Sequence, residues 1–313
     1  MRNTFADTFY ELAKNDRRLV AVVADISPAG SIAKFRQEFP DRFINTGVAE
    51  QIMIGMAAGM AQRGLRPFAY TIAKFSLYRP FEFVRDDLCY QNLPVTVVGI
   101  GPGVTYSTLG GSHHAMEDIA LATSIPNMTV IAPCDPEEVR AATRWCATES
   151  QGPVYLRLGK AGEPVLTKDA VEPFEVGRMR VVARGTGTCV IAAGPILGLG
   201  RLVAEQLAAE AGAPVTLVSA HTLKPFDTEK AAELLRSHQR VIAIEEHVPH
   251  GGLSSRLKEV AWDSGAKCEL RCFTLEDAFH HVYGSHADIL SAHGLDEARI
   301  LAALRRPAQV PAG

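Results

Sequence analysis

The chain has 313 residues, 47% of them hydrophobic, which is enough for two domains that each bury a core of their own. Its formal charge of -3 arises from interspersed acidic and basic residues, which excludes a basic stripe for nucleic acid and a polybasic membrane patch. No apolar run reaches the length of a membrane span, and the N-terminal segment has no signal-peptide core, so we expect a cytosolic protein.

The first half of the chain alternates short β-branched runs with amphipathic segments. Such alternation predicts a mostly parallel sheet covered by helices. One predicted helix, 49–62, is rich in glycine and alanine, and we expect it to be buried. The predicted strands are 19–24, 43–45, 66–72, 95–100, 129–131 and 154–157.

A second α/β unit follows a lapse in the pattern between residues 159 and 177, where glycine and proline indicate a linker. The predicted fold class is therefore α/β, with two three-layer α/β/α domains and mostly parallel sheets. The predicted division is a domain at 1–160, a linker at 161–180 and a domain at 181–313. Strands are predicted at 188–192, 214–219, 240–244 and 267–271, and helices near 199–210, 228–236, 252–261 and 296–304.

The six cysteines are scattered without a paired Cys-x-x-Cys framework. Reduced thiols are therefore expected in place of disulfides or zinc ligands. Cys268 and Cys272 are the one close pair in the sequence, and we interpret them as small apolar residues on a buried strand.

Glu50 is the candidate acid. It lies in the segment Asn-Thr-Gly-Val-Ala-Glu-Gln at 45–51, where a short predicted strand meets the glycine- and alanine-rich helix. A carboxyl group at this position is either a helix-capping charge or a functional acid, and position alone favours capping.

Two aromatic residues, Phe75 and Tyr78, follow the predicted strand that ends at Ile72. Their spacing would place both rings on one helical face, where they could stack on a flat heterocycle or form ordinary core.

His113 and His114 lie in a glycine-rich loop with Glu117 shortly after them. One of these histidines could titrate near neutrality and transfer protons. The preceding glycines at 99–103 do not match G-x-G-x-x-G, which argues against a dinucleotide site, and no further ligands stand at a spacing suited to zinc.

Taken in this order, these elements resemble the thiamine-diphosphate enzymes of the transketolase type, namely their pyrimidine-binding domain and the C-terminal domain that follows it. The resemblance continues through the segments 125–135, 153–157, 222–227 and 245–252, and it therefore covers nearly the whole chain.

For the cofactor, the resemblance implies that Glu50 hydrogen-bonds the pyrimidine ring nitrogen and drives the imino tautomer that activates the thiazolium carbon. A desolvated carboxyl group can share a proton with a weakly basic nitrogen better than an exposed carboxylate can. Phe75 and Tyr78 would line the pyrimidine pocket. Ile72 would join them, at a position where transketolases often carry a third aromatic residue.

For the substrate, the resemblance implies that His113 reaches the reacting oxygens, with His114 as its neighbour. Lys160 falls where related enzymes place an arginine on a substrate phosphate. Leu109 replaces an aspartate that reads a sugar hydroxyl group, which removes a reason to bind an ordinary ketose donor. Branched or otherwise modified substrates are therefore expected.

A metal site is not expected in this chain. The Gly-Asp-Gly segment and downstream asparagine that hold the metal and diphosphate in this family are absent from the sequence. The resemblance implies a split enzyme in which a diphosphate-binding N-terminal subunit holds Mg²⁺ or Ca²⁺. Thiamine diphosphate would then lie between the two subunits, in a heterodimer or a heterotetramer of two chains each.

Three functions remain open at this point. The favoured one is transfer of a two-carbon ketol unit from a phosphorylated or modified ketose to an aldehyde. The second is the beta subunit of a 2-oxo-acid dehydrogenase decarboxylase component, and the third is a non-catalytic module that kept the fold. His280, His281 and His286 have no matching role and are interpreted as structural or exposed.

Overall fold

The computed structural model describes residues 1–26 and 30–306, so the end of the predicted second domain, 307–313, lies outside the described residues. The first set of elements is α1 Arg2–Asn15, β1 Leu19–Val23, α2 Ser31–Glu38, β2 Phe43–Asn45, α3 Glu50–Gln62, β3 Arg66–Ile72, α4 Ala73–Leu77, α5 Phe81–Phe83, β4 Thr96–Ile100, α6 Asp118–Ser124, β5 Thr129–Ile131, α7 Pro136–Thr148 and β6 Val154–Leu158.

The second set of elements follows a segment that has no regular structure until residue 180. It comprises β7 Arg180–Ala183, β8 Thr188–Ala193, α8 Leu197–Ala211, β9 Thr216–Ser219, β10 Thr222–Lys224, α9 Thr228–Ser237, β11 Arg240–Glu245, α10 Leu253–Asp263, β12 Glu269–Phe273, α11 His286–Ala292 and α12 Glu297–Leu304. None of the described helices is both long and apolar enough to span a membrane.

The strands form two sheets, ordered β10-β5-β6-β4-β3-β1-β2 and β12-β11-β8-β9-β7. Every pairing of these strands is parallel except β10 with β5 and β7 with β9. All residues of β1, β4 and β6 are buried, as expected for parallel strands covered on both faces. The predicted α/β fold with mostly parallel sheets is confirmed.

Three elements that shape the two sheets are absent from the sequence prediction. α1 is one of them, although its Phe5 and Phe9 belong to the buried core of the first sheet. β7 begins at Arg180, inside the predicted linker, and β10 joins the first sheet although it lies in the second predicted domain. The boundaries 1–160, 161–180 and 181–313 stay a prediction.

Helix starts in both units carry side-chain caps. Asp135 accepts a hydrogen bond from the Glu138 amide at the start of α7, with Pro136 at the first helical position. Ser285 and Asp288 form a reciprocal capping box at α11. These local bonds satisfy amide groups that a helix otherwise leaves without partners.

α3 is buried along one face only, so the expectation of a buried helix is wrong for the other face. Met53, Ile54 and Ala57 are buried in the core of the first unit. In contrast, Ile52 is 55% exposed and Met56 is 38% exposed. The helix therefore has one buried face and one exposed face, although nearly all its residues are apolar.

A buried ion pair of the first unit also contacts the second unit. Arg157 on β6 donates from Nε to Asp118 Oδ2 (2.8 Å) and from Nη2 to Asp118 Oδ1 (3.2 Å), and both side chains are almost fully buried. The Tyr155 hydroxyl donates to the same carboxylate at 2.7 Å. Arg157 Nη2 also donates to the carbonyl oxygen of Glu246 in the second unit, at 2.9 Å.

We expect Arg157→Leu to lower the free energy of unfolding by about 3–5 kcal/mol, because it leaves the Asp118 carboxylate buried without its cation. Urea denaturation of both proteins measures the difference. Arg140→Leu serves as the control, since Arg140 is exposed and pairs with Glu137 one helical turn away. A loss no larger than that of the control would contradict the structural role of the pair.

Candidate active site

The candidate residues follow three strands of the first sheet at their carboxyl ends. Glu50 follows β2, the segment 74–79 follows β3, and the loop 101–114 follows β4. β3 pairs with β4 on one side and with β1 on the other, and β1 pairs with β2. Parallel strands end at the same edge of their sheet, so these segments lie at one end of the first unit. Ligands of parallel α/β sheets bind at this edge.

Glu50 is the first residue of α3 and is only 3% exposed. Nη1 of Arg79 lies 2.8 Å from one oxygen of its carboxylate and 3.0 Å from the other. Glu50 stands in the first turn of α3, where the helix dipole favours a negative charge, so the capping interpretation stays open beside that of a functional acid. The carboxylate is desolvated and held in an ion pair.

Phe75 and Tyr78 are brought together with His113 around one cavity of about 510 Å³. The Phe75 ring meets the His113 ring edge to face, with 5.2 Å between the ring centroids. The Tyr78 hydroxyl donates to Glu117 Oε2 (2.8 Å) and accepts from the Glu117 amide (2.9 Å), which fixes its ring at the start of α6. The cavity therefore has one wall of aromatic rings.

His113 is half-buried, and its Nδ1 lies 3.0 Å from the Ser112 hydroxyl oxygen. Burial, together with the positive charge of Lys74, lowers the pKa of His113 below its ordinary value. Lys74 also donates from Nζ to the Gly111 carbonyl oxygen at 3.1 Å. Lys74 thus secures the loop and favours the neutral imidazole.

His114 and Leu109 do not line this cavity in the described structure. His114 is buried, its Nε2 has no hydrogen-bond partner among the described residues, and burial lowers its pKa. Leu109 is exposed at the end of a single 3₁₀ turn, Ser107–Leu109. Of the two predicted histidines, only His113 faces Phe75.

Ile72 and Lys160 also lie outside the cavity lining. Ile72 is the last residue of β3, half-buried and paired in register with Ile100. Lys160 Nζ lies 4.7 Å from the centroid of the Tyr106 ring, and that ring also lies 6.4 Å from the His113 ring. Lys160 instead lines a second cavity of about 430 Å³ with Glu246 and His286.

The second unit contacts the start of the loop 101–114, which carries His113 and is called the histidine loop below. Glu246 Oε1 accepts the Val104 amide at 2.7 Å and lies 2.8 Å from His286 Nε2. Although burial opposes it, the charge and hydrogen bond of Glu246 raise the pKa of His286. Gly103 has a positive φ, and a Cβ atom there would overlap the Glu246 carboxylate. His286 was expected to be structural or exposed, and it is partly buried against Glu246.

A second group of titratable side chains lies in the same unit. Glu276, His280 and His293 bring potential ligand atoms within 4.8 Å of one another. His280 Nε2 lies 2.9 Å from the Glu276 carboxylate, and His293 Nδ1 accepts the Glu276 amide. Since that acceptor role places the His293 proton on Nε2, hydrogen bonding among these residues accounts for the cluster without a metal.

Arg79 and Lys74 are the site residues that sequence reasoning missed. Both lie in the segment 74–79, in which the aromatic residues Phe75 and Tyr78 were the predicted site residues. The signal available in the sequence was a cation beside each aromatic residue, since Lys74 precedes Phe75 and Arg79 follows Tyr78. Buried carboxylates and loop carbonyl oxygens require such hydrogen-bond donors.

We expect Lys74→Met to raise the pKa of His113, because the substitution removes the positive charge that disfavours the imidazolium ion. The rise should fall short of the ordinary value, since burial of the ring remains. Titration of the imidazole resonances by NMR measures the change.

Lys34→Met is the control for the Lys74 experiment, because Lys34 is exposed on α2. It should leave the titration of His113 unchanged. An unaltered or lower pKa in Lys74→Met would show that Lys74 does not act on this histidine.

Comparison with known proteins gives the chain a family. Residues 1–162 match the model described as "Transketolase, pyrimidine binding domain", and residues 177–300 match "Transketolase, C-terminal domain". Among solved structures, one described as "Split gene transketolase, inactive beta4 tetramer" superposes with a TM-score of 0.86 at 34% identity. That match covers 97% of this chain and 96% of the other.

Two curated relatives cover nearly the same length. An apulose-4-phosphate transketolase subunit of Actinobacillus succinogenes is 33% identical over 95% of this chain and 94% of its own. The "6-deoxy-6-sulfo-D-fructose transketolase subunit SqwH" of a Clostridium species is 35% identical over 90% of this chain and 86% of its own. The chain therefore belongs to the transketolase family, of which it carries the pyrimidine-binding and C-terminal domains.

Proposed function

We propose that this chain is the subunit of a split transketolase that presents Glu50 and an aromatic pocket to thiamine diphosphate. Together with its partner it would transfer a two-carbon ketol unit from a ketose to an aldehyde. The observation that carries this proposal is the buried Glu50 carboxylate, joined through Arg79 to the cavity that Phe75, Tyr78 and His113 line.

The residues present fit the aminopyrimidine part of this cofactor. A desolvated carboxylate suits a ring nitrogen, and the Phe75 face suits a flat heterocycle. Glu50 would hold the ring nitrogen, while Phe75 and Tyr78 would enclose the ring. When bound, the cofactor supplies an electron sink for cleavage of a carbon–carbon bond.

His113 is the proposed proton-transfer residue at the substrate. Its lowered pKa leaves a neutral imidazole, and Ser112 holds one of its nitrogens. The other nitrogen can then donate to, or accept from, a reacting hydroxyl or carbonyl oxygen of the substrate. Phe75 and Tyr106 exclude water from two sides of the ring.

The substrate proposal is a ketose that is phosphorylated or otherwise modified. Two relatives are named for apulose 4-phosphate and for 6-deoxy-6-sulfo-fructose, which are modified sugars with an anionic group. In this chain, Lys160 offers a cation next to Tyr106, and Leu109 offers an exposed apolar side chain.

The partner proposal is a diphosphate-binding transketolase N-terminal subunit that holds Mg²⁺ or Ca²⁺. An apolar surface borders Glu50: Val48, Ile52 and Met56 are 69%, 55% and 38% exposed. Nothing in the described chain lies within 4 Å of a Cβ placed on Gly59, so a partner backbone could approach α3 closely. We propose a heterotetramer of two chains each, located in the cytoplasm, where the six free thiols would stay reduced.

We expect Glu50→Gln, assembled with the partner subunit, to lower kcat roughly 100-fold or more, because glutamine keeps the shape but cannot hold the proton. Ketol transfer is measured as aldehyde-dependent consumption of ketose phosphates, with Mg²⁺ and thiamine diphosphate present. Glu82→Gln is the matched control, since Glu82 is an exposed glutamate of α5. Turnover by Glu50→Gln at the rate of the wild type would remove the catalytic assignment.

The same assay separates the alternative function. Release of carbon dioxide from 2-oxo acids, without ketol transfer from sugars, would identify the beta subunit of a 2-oxo-acid dehydrogenase decarboxylase instead. Absence of both activities in a complex that binds cofactor would favour a non-catalytic module.

We expect Ile52→Arg to raise the Kd for the partner protein roughly tenfold or more, since it places a charge in an apolar interface. Light scattering after gel filtration reports the assembly, and calorimetry reports the Kd. Leu202→Arg changes a comparably exposed leucine of α8 and should leave assembly intact. If both variants assemble like the wild type, the α3 surface is not the partner interface.

A further inference from the structure

Arg79 occupies two places that the proposed function assigns to the cofactor ring. Its Nη1 contacts both oxygens of the Glu50 carboxylate, at 2.8 and 3.0 Å. Its guanidinium carbon also lies 4.8 Å from the centroid of the Phe75 ring, as in a cation–π contact. One side chain therefore covers the acid and an aromatic face together.

These contacts conflict with the proposed role of Glu50. A carboxylate bound to a guanidinium group stays ionised and has no proton to share with a ring nitrogen. The face of Phe75 that carries the guanidinium group cannot stack on a heterocycle at the same time. Arg79 and the aminopyrimidine ring must therefore exclude one another.

We infer that Arg79 is a positioning residue. It neutralises the Glu50 carboxylate before the cofactor binds, and it must leave both Glu50 and Phe75 when the aminopyrimidine ring binds. This inference rests on the proposed function. Until the ring binds, Arg79 provides the counter-charge that a buried carboxylate requires, and afterwards the ring nitrogen shares a proton with the same carboxyl group. Glu50 is then never buried as an unpaired charge.

The surroundings of Arg79 allow this movement. Its side chain is 42% exposed, whereas that of Glu50 is 4% exposed, so the guanidinium group can turn into water while the acid stays in place. Among the described residues, Glu50 is the one acidic group that forms an ion pair with Arg79. One ion pair and one cation–π contact thus hold the Arg79 side chain, and a ligand that binds both Glu50 and Phe75 can replace them.

Replacement of Arg79 by the aminopyrimidine ring at Glu50 requires one proton. When Arg79 leaves, the Glu50 carboxylate takes up one proton, which solvent supplies and which the carboxyl group then shares with the ring nitrogen. No bond to carbon forms or breaks in this step. Arg79 stays protonated throughout, because guanidinium groups do not lose their proton in proteins.

The test is calorimetric titration of thiamine diphosphate, with saturating Mg²⁺, into the complex of this chain with its partner subunit. We expect Arg79→Gln to bind the cofactor more tightly than the wild type, by roughly fivefold or more, because binding no longer breaks an ion pair. Arg79→Lys keeps the charge and should fall between the two. Arg85→Gln changes an exposed arginine of the neighbouring segment and should match the wild type.

Weaker binding by Arg79→Gln, rescued in Arg79→Lys, would overturn the inference, because Arg79 would then help to hold the cofactor. Equal affinity of Arg79→Gln and the wild type would overturn it as well.

A second measurement uses the unaltered chain and so does not depend on whether a variant folds. Titrations in buffers of different ionisation enthalpy report the protons taken up as the cofactor binds. We expect the wild type to take up protons as the cofactor binds, because the Glu50 carboxylate exchanges the guanidinium group for a proton. If the wild-type complex takes up no protons, Glu50 does not exchange Arg79 for a proton and the inference fails.

The outcome can be separated from the proposed function. If Glu50→Gln turns over normally, or the complex binds no thiamine diphosphate, the proposed function itself has failed. If cofactor binding and the effect of Glu50→Gln are both as expected, the Arg79 titrations test only the proposed exchange of Arg79 for the ring at Glu50.

Discussion

The buried Arg157–Asp118 ion pair fixes the positions of the sheet, of α6 and of the second unit relative to one another. β6 lies inside the first sheet, so the Arg157 guanidinium group has no route to water and must find all its acceptors within the protein. It finds them at the start of α6 and at the Glu246 carbonyl oxygen. One side chain thereby fixes the sheet, the end of the histidine loop and the second unit relative to each other.

The site depends on both units for this reason. The loop that carries His113 is held near its beginning by Glu246 of the second unit and near its end by Lys74 of the first. Its end runs into α6, where Asp118 meets Arg157. The described residues of the C-terminal unit place no side chain in the Phe75 cavity, yet this unit still determines where His113 stands.

Much of this architecture could be predicted from local sequence, because strands buried on both faces form continuous apolar runs. The predicted bounds of β3 are the observed ones, and most other strands agree within a few residues. β10 was missed, because its pairing with β5 depends on contacts distant in sequence. The resemblance predicted that Glu50, Phe75 and His113 share a site, and the structure places each of them after one of three strands of the first sheet. Which carboxylate the long Arg79 side chain reaches was beyond any pattern, because that depends on how three loops pack.

The β10 strand limits how these chains can be recombined. It belongs by sequence to the second half but completes the outer edge of the first sheet, antiparallel to β5. A chimera that takes each half from a different relative must therefore match a strand pairing as well as an interface. A first half expressed alone would leave the β5 edge uncovered, and such an edge is open to pairing with other chains. A transketolase gene can be divided between two polypeptides, but this polypeptide does not divide in the same way between its own two halves.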